Sequence, residues 1–316
     1  MIFMNIEERF KENISLANHT TFRIGGPAKY FFETNSAQEI KDAIFWAKEN
    51  SVSYFILGGG SNLLVNDDGF GGLIIKVKSS MFKVKSQNQE LKIITDAGVP
   101  LIKIILETVK QGYSGAEWGF GIPGTVGGAI CGNAGRLGQD ISQVVESVTM
   151  LDKYLKEKKL SRKDCEFSYR ESIFKKNDGI ILDATLVFLK KEQSQIEEIL
   201  NQAKKVIREH PPFPSAGSAF KNYEIKNRDD ALLKNHPELK SRVRGGKIGV
   251  GFLIDQCGLK GKQIKGAKIW KGHANYIVNV GGAKASDIIE LINLCKKSVK
   301  EKFGIKLEEE IRYLGF

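Results

Sequence analysis

Several features that mark particular protein classes are scarce or missing in this sequence of 316 residues. Its four cysteines, Cys131, Cys165, Cys257 and Cys295, are far apart, and no two have the C-x-x-C spacing of zinc or redox sites. The sequence contains no run of 18 apolar residues, so it predicts no membrane-spanning helix. The N-terminal segment carries acidic residues early and has no apolar stretch typical of a secretory signal. We therefore expect a cytoplasmic protein with buried, reduced cysteines, no metal site and no membrane insertion.

The basic charge balance has two functional interpretations and one simpler one. Lysine and arginine number 48 against 37 acidic residues, which gives a net charge of +11. Such an excess is compatible with nucleic acid or with an anionic small substrate. The lysines are spread along the chain, however, and their densest run, 156–163, contains no interleaved aromatic residues. A solvated lysine-rich surface is the simplest explanation, and we expect no nucleic-acid partner.

Hydrophobic periodicity predicts an α+β protein in which helices and strands alternate irregularly. Ser36 and Glu39 form a capping pair before one helix, and Ser194 and Glu197 form another before a helix that ends at His210 and the prolines after it. The predicted helices are 36–50, 100–111, 194–209 and 287–303. The predicted strands are 54–57, 73–77, 91–95, 145–151, 181–189 and 307–314, and the first of them reads as buried.

Glycine is unusually concentrated, because ten of the 33 glycines fall between Gly112 and Gly138. Residues 119–124 match G-x-G-x-x-G, but the segment before them is too short for a buried strand, and Pro123 and further glycines weaken a following helix. A dinucleotide fold of the Rossmann type is therefore disfavoured. Two glycine loops, 58–62 and 119–135, present backbone N–H groups suited to a diphosphate cofactor. The alternative is that both are simply tight turns.

Eight segments of the sequence resemble one known family, in the order in which the family has them. The family is UDP-N-acetylenolpyruvoylglucosamine reductase, also called UDP-N-acetylmuramate dehydrogenase. Residues 171–217 leave little room for the tyrosine-bearing insertion of its longer class, so the shorter class is the better match. The matching segments are 20–28, 57–64, 119–135, 169–174, 214–222, 253–261, 273–279 and 310–312.

The resemblance implies an FAD-dependent oxidoreductase of peptidoglycan synthesis, and thus of cell-wall biogenesis, cell shape, the cell cycle and cell division. NADPH would reduce a noncovalent FAD, which would reduce the enolpyruvyl ether of UDP-N-acetylglucosamine to UDP-N-acetylmuramate. The implied fold is vanillyl-alcohol-oxidase-like. FAD-binding subdomains would occupy 1–78 and 79–208, a substrate domain 209–304, and 305–316 would return near the site. We expect a monomer.

The resemblance also assigns roles to individual residues. Arg170 and Glu310 would stabilise the enolate and its carboxylate, and Ser218 would donate the proton. The residues expected to contact FAD are Gly58, Gly59, Gly60, Ser61, Asn62, Gly121, Ile122, Pro123, Gly124, Thr125, Gly128, Ala129, Asn133, Gly135 and Arg312. The residues expected to contact the substrate are Arg208, Lys221, Asn222 and His273.

Three other functions remain possible on the sequence. Another FAD-linked oxidoreductase of the same superfamily, acting on an alcohol or sugar, would share the two glycine loops. A basic nucleic-acid-binding protein would lack a chromophore and would bind with strong salt dependence. A flavin-binding scaffold without turnover would hold FAD but would not oxidise NADPH.

Overall fold

A computed structural model describes residues 6–227 and 230–316. The chain forms two compact units. Unit 1 contains the described residues before Ser15, together with Ala28–Gly59 and Gly71–Arg208, and unit 2 contains Ser15–Pro27, Gly60–Phe70 and the described residues from Glu209 to Phe316. The expected division into 1–78, 79–208 and 209–304 stays a prediction.

The α-helices differ widely in length. They are α1 (Ala37–Glu49), α2 (Leu101–Lys110), α3 (Val126–Cys131), α4 (Ile173–Lys176), α5 (Gln193–Arg208), α6 (Ala231–Asn235), α7 (Val250–Gln256) and α8 (Ala285–Phe303). Short 3₁₀ helices span Ile6–Arg9, Leu16–His19, Glu117–Gly119, Ile141–Gln143, Lys163–Cys165 and Pro237–Arg242.

The strands are longest between residues 70 and 190. In chain order they are β1 (Lys11–Ser15), β2 (Pro27–Thr34), β3 (Tyr54–Leu57), β4 (Leu63–Val65), β5 (Phe70–Val77), β6 (Phe82–Gln87), β7 (Glu90–Asp96), β8 (Tyr113–Ser114), β9 (Gly135–Arg136), β10 (Gln139–Asp140), β11 (Val145–Leu151), β12 (Glu157–Ser161), β13 (Ile180–Lys190), β14 (Tyr223–Glu224), β15 (Lys247–Ile248), β16 (Gln263–Ile264), β17 (Ala267–Ile269), β18 (Ile277–Asn279) and β19 (Arg312–Leu314).

Unit 1 is built on two sheets. One has the order β1-β2-β5-β3, in which β3 and β5 are parallel. The other has the order β12-β11-β13-β7-β6, with β8 added beside β13, and its pairs are antiparallel. Helix α2 packs into the core beneath this second sheet through Leu101, Ile104 and Ile105, which are almost wholly buried. Each such side chain contributes about 1.5–3 kcal/mol relative to exposure.

Unit 2 has small sheets and one continuous hydrophobic core. Strand β19 pairs with β4 in parallel, β16-β17-β18 form an antiparallel sheet, and β14 pairs with β15. The long helix α8 covers the core with the predicted residues Ile288, Ile292, Cys295, Val299 and Phe303, all of which are buried. The predicted helical periodicity of this segment is therefore confirmed.

Most predicted elements are present, but three details differ. Helix α5 begins at Gln193, so Ser194 lies inside its first turn and is not the capping residue. Strand β3 is only partly buried, since Leu57 alone among its residues is fully covered. The strand expected at 307–314 is regular only over Arg312–Leu314. Before it, the carbonyl of Glu308 and the N–H of Glu310 form single backbone bonds with Lys221 and Ala219, and the carbonyl of Glu310 accepts the Asn62 side-chain amide.

The cysteines also differ from expectation. All four are free thiols. Cys165 and Cys295 are buried as predicted, and burial raises the pKa of the Cys165 thiol to about 11 and of the Cys295 thiol to about 12. Cys131 and Cys257 are only partly buried, so the expectation of four buried thiols is wrong for these two.

Candidate active site

The two glycine loops meet within unit 1 at a contact that excludes any larger side chain. A Cβ atom on Gly59 would lie 2.7 Å from Cα of Gly124, and one on Gly58 would lie 2.8 Å from Oγ1 of Thr125. Both distances are shorter than real Cβ contacts permit. The end of β3 and the loop before α3 therefore approach through bare backbone and form a glycine cradle. That this cradle binds a phosphate-bearing cofactor stays a prediction.

Backbone conformation explains two glycines of the second loop, Gly121 and Gly124. Gly121 and Gly124 have φ of 77° and 128°, values that L side chains rarely adopt. Thr125 caps α3 by accepting a hydrogen bond from the Gly128 N–H at 3.3 Å. Because α3 spans only six residues and follows no buried strand, this loop is not the first turn of a dinucleotide fold. The other predicted cofactor residues of this stretch, Ile122, Pro123 and Ala129, lie in the loop and in α3.

The entry to this loop is held by two buried residues. The Glu117 side chain is inaccessible to solvent, and its Oε2 accepts the N–H of Gly115 at 2.7 Å. The Trp118 indole N–H donates to the carbonyl of Gly115 at 3.0 Å. These bonds form a tight turn directly before Gly119 and so fix where the cradle begins.

Beyond α3, Asn133 and Gly135 make close contacts with other parts of the chain. Asn133 is 3% exposed with a φ of 39°, and its amide nitrogen donates to the carbonyl of Ser168 at 2.8 Å. A Cβ on Gly135 would lie 2.4 Å from the carbonyl oxygen of Gln139, so only glycine fits between β9 and β10. The contacts of both residues with FAD stay predictions.

Arg170 lies in unit 1 at a tight turn. The N–H groups of Ser168 and Glu171 each donate to the carbonyl of the other at 3.1 Å, and Arg170 has a left-handed φ of 58°. Its guanidinium lies 5.7 Å from the centre of the Tyr169 ring. A non-glycine residue with this backbone conformation is uncommon and is often functional.

Within unit 2, the end of the first glycine loop is hydrogen-bonded to the segment that carries Glu310. Gly60 has a φ of 62°, and a Cβ there would lie 2.0 Å from the carbonyl oxygen of His19. The carbonyl of Ser61 accepts the hydroxyl of Thr21 at 3.3 Å. The side-chain amide of Asn62 donates to the carbonyl of Glu310 at 2.8 Å, and the backbone carbonyl of Asn62 accepts the N–H of Arg312 at 3.1 Å.

Ser218 and Glu310 belong to neighbouring backbone segments of unit 2. The N–H of Glu310 donates to the carbonyl of Ala219 at 2.9 Å, and Ser218 pairs with Tyr276 in an isolated antiparallel bridge. The structure thus brings together two of the three predicted catalytic residues within one unit, whereas Arg170 belongs to unit 1.

Asn275 organises this part of unit 2, and the sequence analysis did not single it out. It is 2% exposed, and its amide accepts the Phe220 N–H at 3.0 Å and donates to the Phe220 carbonyl at 2.8 Å. Its backbone carbonyl accepts the N–H of Ala219 at 2.7 Å. A buried side-chain amide that replaces a strand partner has one signal in sequence, an asparagine inside an otherwise apolar segment.

The four predicted substrate residues have different surroundings. Arg208 ends α5 in unit 1 and is exposed. Lys221 pairs with Glu308 at 2.5 Å, and the side-chain amide oxygen of Asn222 accepts the Val250 N–H at 3.2 Å. Nδ1 of His273 accepts the Asn275 N–H at 3.2 Å, and burial lowers the pKa of the His273 imidazole. His273 is therefore a hydrogen-bond acceptor in unit 2 in its neutral form.

The described ranges 6–227 and 230–316 contain neither a metal-binding cluster nor a membrane-spanning helix. No cluster of three or more His, Cys, Asp or Glu side chains there is arranged to hold a metal ion. No helix in the same ranges combines the length and apolar character needed to cross a membrane.

Comparison with known proteins assigns the chain to a family. Residues 207–314 match the model of the C-terminal domain of UDP-N-acetylenolpyruvoylglucosamine reductase, and residues 28–154 match an FAD binding domain. The enzyme of that name from Clostridium novyi is 37% identical over 98% of this chain and 93% of its own. That from Anoxybacillus flavithermus is 38% identical over 96% of this chain and 94% of its own.

The chain belongs to the UDP-N-acetylenolpyruvoylglucosamine reductase family. A solved member from Thermus caldophilus superposes with a TM-score of 0.76 at 28% identity, covering 96% of this chain and 99% of that one. These findings confirm the predicted family, the α+β FAD-binding fold, the oxidoreductase class and FAD as the cofactor. Another FAD-linked oxidoreductase, acting on an alcohol or sugar, is not favoured.

Proposed function

We infer that this protein reduces the enolpyruvyl ether of UDP-N-acetylglucosamine to UDP-N-acetylmuramate, with FAD as the redox cofactor and NADPH as the reductant. The reaction belongs to peptidoglycan precursor synthesis, and so serves cell-wall biogenesis and cell division. The protein acts in the cytoplasm and as a monomer. The single observation that supports this conclusion best is family membership over nearly the whole chain, at 37% identity.

The glycine contact in unit 1 fits the cofactor. When bound, FAD supplies a hydride at its N5 atom. Gly58, Gly59, Gly124 and Thr125 offer backbone groups without intervening side chains, which suits a diphosphate and a noncovalent cofactor. The further FAD contacts are those predicted from the sequence: Gly60, Ser61, Asn62, Gly121, Ile122, Pro123, Gly128, Ala129, Asn133, Gly135 and Arg312.

Three side chains handle the charge and the proton of the reaction. Addition of hydride to one vinyl carbon of the substrate places negative charge on the other carbon and on its carboxylate. Arg170 binds that carboxylate through its planar guanidinium, and Glu310, in its protonated form, donates a hydrogen bond to the same group. Ser218 donates the proton to the carbanionic carbon. Ala216 and Gly217 beside Ser218 have little bulk, which supports a close approach of the substrate.

Polar and basic side chains bind the anionic nucleotide part of the substrate. Lys221 and Asn222 directly follow the segment that carries Ser218, and His273 precedes Asn275, which pairs with that segment. Arg208, at the end of α5, completes the predicted set of substrate contacts. The diphosphate and the carboxylate of the substrate are anionic, and the net charge of +11 on the protein would attract them.

Following the two half-reactions separately tests the role of Ser218. In the FAD-loaded Ser218→Ala variant, we expect NADPH to bleach the flavin at the wild-type rate. Reoxidation by the enolpyruvyl nucleotide should fall by about 10²–10⁴-fold, the usual contribution of a general acid. Ser241→Ala, which removes an exposed hydroxyl from the same unit, is the matched control and should change neither rate. Equal loss in both half-reactions would argue against a proton-donor role.

The same measurement separates the other candidate functions. Reoxidation by an alcohol or sugar product, and none by the enolpyruvyl nucleotide, would indicate a different member of the superfamily. A flavin that NADPH does not bleach would indicate a binding scaffold. Purified protein without a flavin spectrum, with salt-sensitive affinity for DNA or RNA, would indicate a nucleic-acid-binding protein.

A further inference from the structure

The turn that carries Arg170 is strained, and other residues must hold it. Ser168 and Glu171 close the turn, and Arg170 occupies its third position with a φ of 58°. A turn with a positive φ at this position normally uses glycine or asparagine, and another residue costs about 1 kcal/mol or more. The arginine conformation therefore persists only if the surrounding structure keeps both ends of the turn in place.

Ser172 holds the far end of this turn. It directly follows Glu171, is 0% exposed, and occupies the position before α4 where a serine hydroxyl usually caps the helix. Its hydroxyl is used differently, since it donates at 2.7 Å to the carbonyl of Cys131, a residue 41 positions away. Such a buried, long-range bond directs the hydroxyl to the glycine-rich segment.

Asn133 holds the near end. Its amide nitrogen donates to the carbonyl of Ser168 at 2.8 Å, and its amide oxygen accepts the N–H of Ser142 at 3.3 Å. Cys131 is the last residue of α3, the helix that follows the glycine cradle, and Asn133 comes two residues later. Both ends of the Arg170 turn are thus bonded to one short segment, 131–133, next to the cradle.

We propose that Ser172 and Asn133 are positioning residues that lock the Arg170 turn to the glycine cradle, so that the guanidinium and the cofactor site keep a fixed spacing. The proposal rests on the function proposed above, in which Arg170 binds the substrate carboxylate. Two bonds at the ends of a four-residue turn leave the arginine backbone little freedom. A displacement of about 1 Å at such a group can cost about 100-fold in rate.

The test uses FAD-loaded Ser172→Ala protein and measures the two half-reactions. We expect reduction of the flavin by NADPH to stay within about 2-fold of wild type, and reoxidation by the enolpyruvyl nucleotide to slow by about 10- to 100-fold. Ser172→Thr keeps the hydroxyl and should restore most of the rate. Ser79→Ala is the control, because Ser79 is a buried serine of unit 1 whose hydroxyl bonds to Asp96 instead.

A double-mutant cycle with Arg170→Ala decides whether Ser172 acts through the arginine. If it does, Ser172→Ala should slow reoxidation by less than about 2-fold in the Arg170→Ala background. A loss of the same size in both backgrounds overturns the proposal. If Arg170→Ala itself leaves reoxidation unchanged, the assigned role of Arg170 fails instead, so the two failures are distinguishable.

Asn133→Gly provides a second variant that keeps the left-handed backbone and deletes only the amide. Because Asn133 is also a predicted FAD contact, its role is measured by coupling alone: at saturating FAD, Asn133→Gly should slow reoxidation much less in the Arg170→Ala background than in the wild-type background. If Ser172→Ala does not fold, this variant alone carries the test, and an unchanged reoxidation rate in FAD-loaded Asn133→Gly overturns the proposal.

Discussion

Unit 1 and unit 2 hold their predicted site residues by different means. In unit 1, strand β13 pairs with β7 over Asp183–Leu189 and with β11 on its other side. Many backbone hydrogen bonds therefore stabilise this part of the sheet together. In unit 2, the segments around Ser218 and Glu310 pair through isolated bridges and single side-chain amides, those of Asn62 and Asn275. The loss of one group should therefore matter more in unit 2.

The glycine contact at Gly58 and Gly59 in unit 1 has a different weak point. The closest glycine contacts of the predicted cofactor cradle in unit 1, at Gly58 and Gly59, have no room for one additional carbon atom. This contact should thus be sensitive to added atoms, and the segments around Ser218 and Glu310 to deleted polar groups. This contrast can be tested with substitutions of known expected size.

The largest effect is expected from Asn275→Ala in unit 2. The change leaves the N–H and the carbonyl of Phe220 without partners although this residue is 1% exposed. An unsatisfied buried group costs about 1–3 kcal/mol, so the free energy of unfolding should fall by about 2–5 kcal/mol. Denaturant unfolding followed by circular dichroism measures it.

The control for this prediction is Asn50→Ala in unit 1. Asn50 is exposed at the end of α1, where its amide donates to the carbonyl of Trp46. This substitution should change stability by less than about 0.5 kcal/mol. Comparable losses in the two variants would show that Asn275 has no special structural role.

The second effect concerns added bulk in unit 1. In Gly59→Ala, the new methyl group would overlap Cα of Gly124. Overpacking of this kind costs about 1–3 kcal/mol, so the dissociation constant for FAD should rise by about 10-fold or more. Flavin fluorescence titration of the apoprotein measures this constant. Gly71→Ala is matched to it, because nothing lies within 4 Å of a Cβ at Gly71, and it should bind FAD normally.

Sequence analysis predicted the elements whose signal is local. The helix at 36–50 is observed as α1, and the predicted inward residues Ile40, Ala43, Ile44 and Ala47 are all buried. The strand predicted at 145–151 has those bounds in β11. Both follow from periodicity within one element, which is set by the geometry of the helix or strand itself.

The remaining features depend on residues far apart in the chain. The bond from Ser172 to Cys131 spans 41 residues, and that from Asn275 to Phe220 spans 55. The residue spacing within one helix or strand cannot predict such long-range hydrogen bonds. The segment 307–314, where the predicted strand is only partly observed, also depends on a distant residue. The side-chain amide of Asn62, 248 residues away in sequence, donates to the carbonyl of Glu310. The roles of Arg170, Ser218 and Glu310 came from family resemblance and stay predictions.

A smaller effect is expected when one polar group is removed in unit 1, where others share its role. Ser36 accepts the N–H of Glu39 at 3.4 Å, while the hydroxyl of Thr34 accepts the N–H of Ser36 at 3.0 Å. Ser36→Ala should lower the free energy of unfolding by about 0.5–1 kcal/mol, near the low end for a helix cap. A loss above about 2 kcal/mol would contradict the idea that unit 1 distributes its polar contacts.

The smallest effect is a pH dependence of unit 2 caused by His273. Burial lowers the pKa of this imidazole, the nearby Lys260 lowers it further and Glu209 opposes the shift, so the folded state favours neutral His273. The unfolded state has an ordinary pKa of about 6.5 and binds the proton more readily. Stability from this residue is therefore fully present above about pH 7 and falls as the pH drops through 6.5. In His273→Gln, the decrease in melting temperature between pH 7.5 and pH 5.5 should be smaller than in wild type. An identical decrease in both proteins would mean that protonation of His273 is not coupled to unfolding.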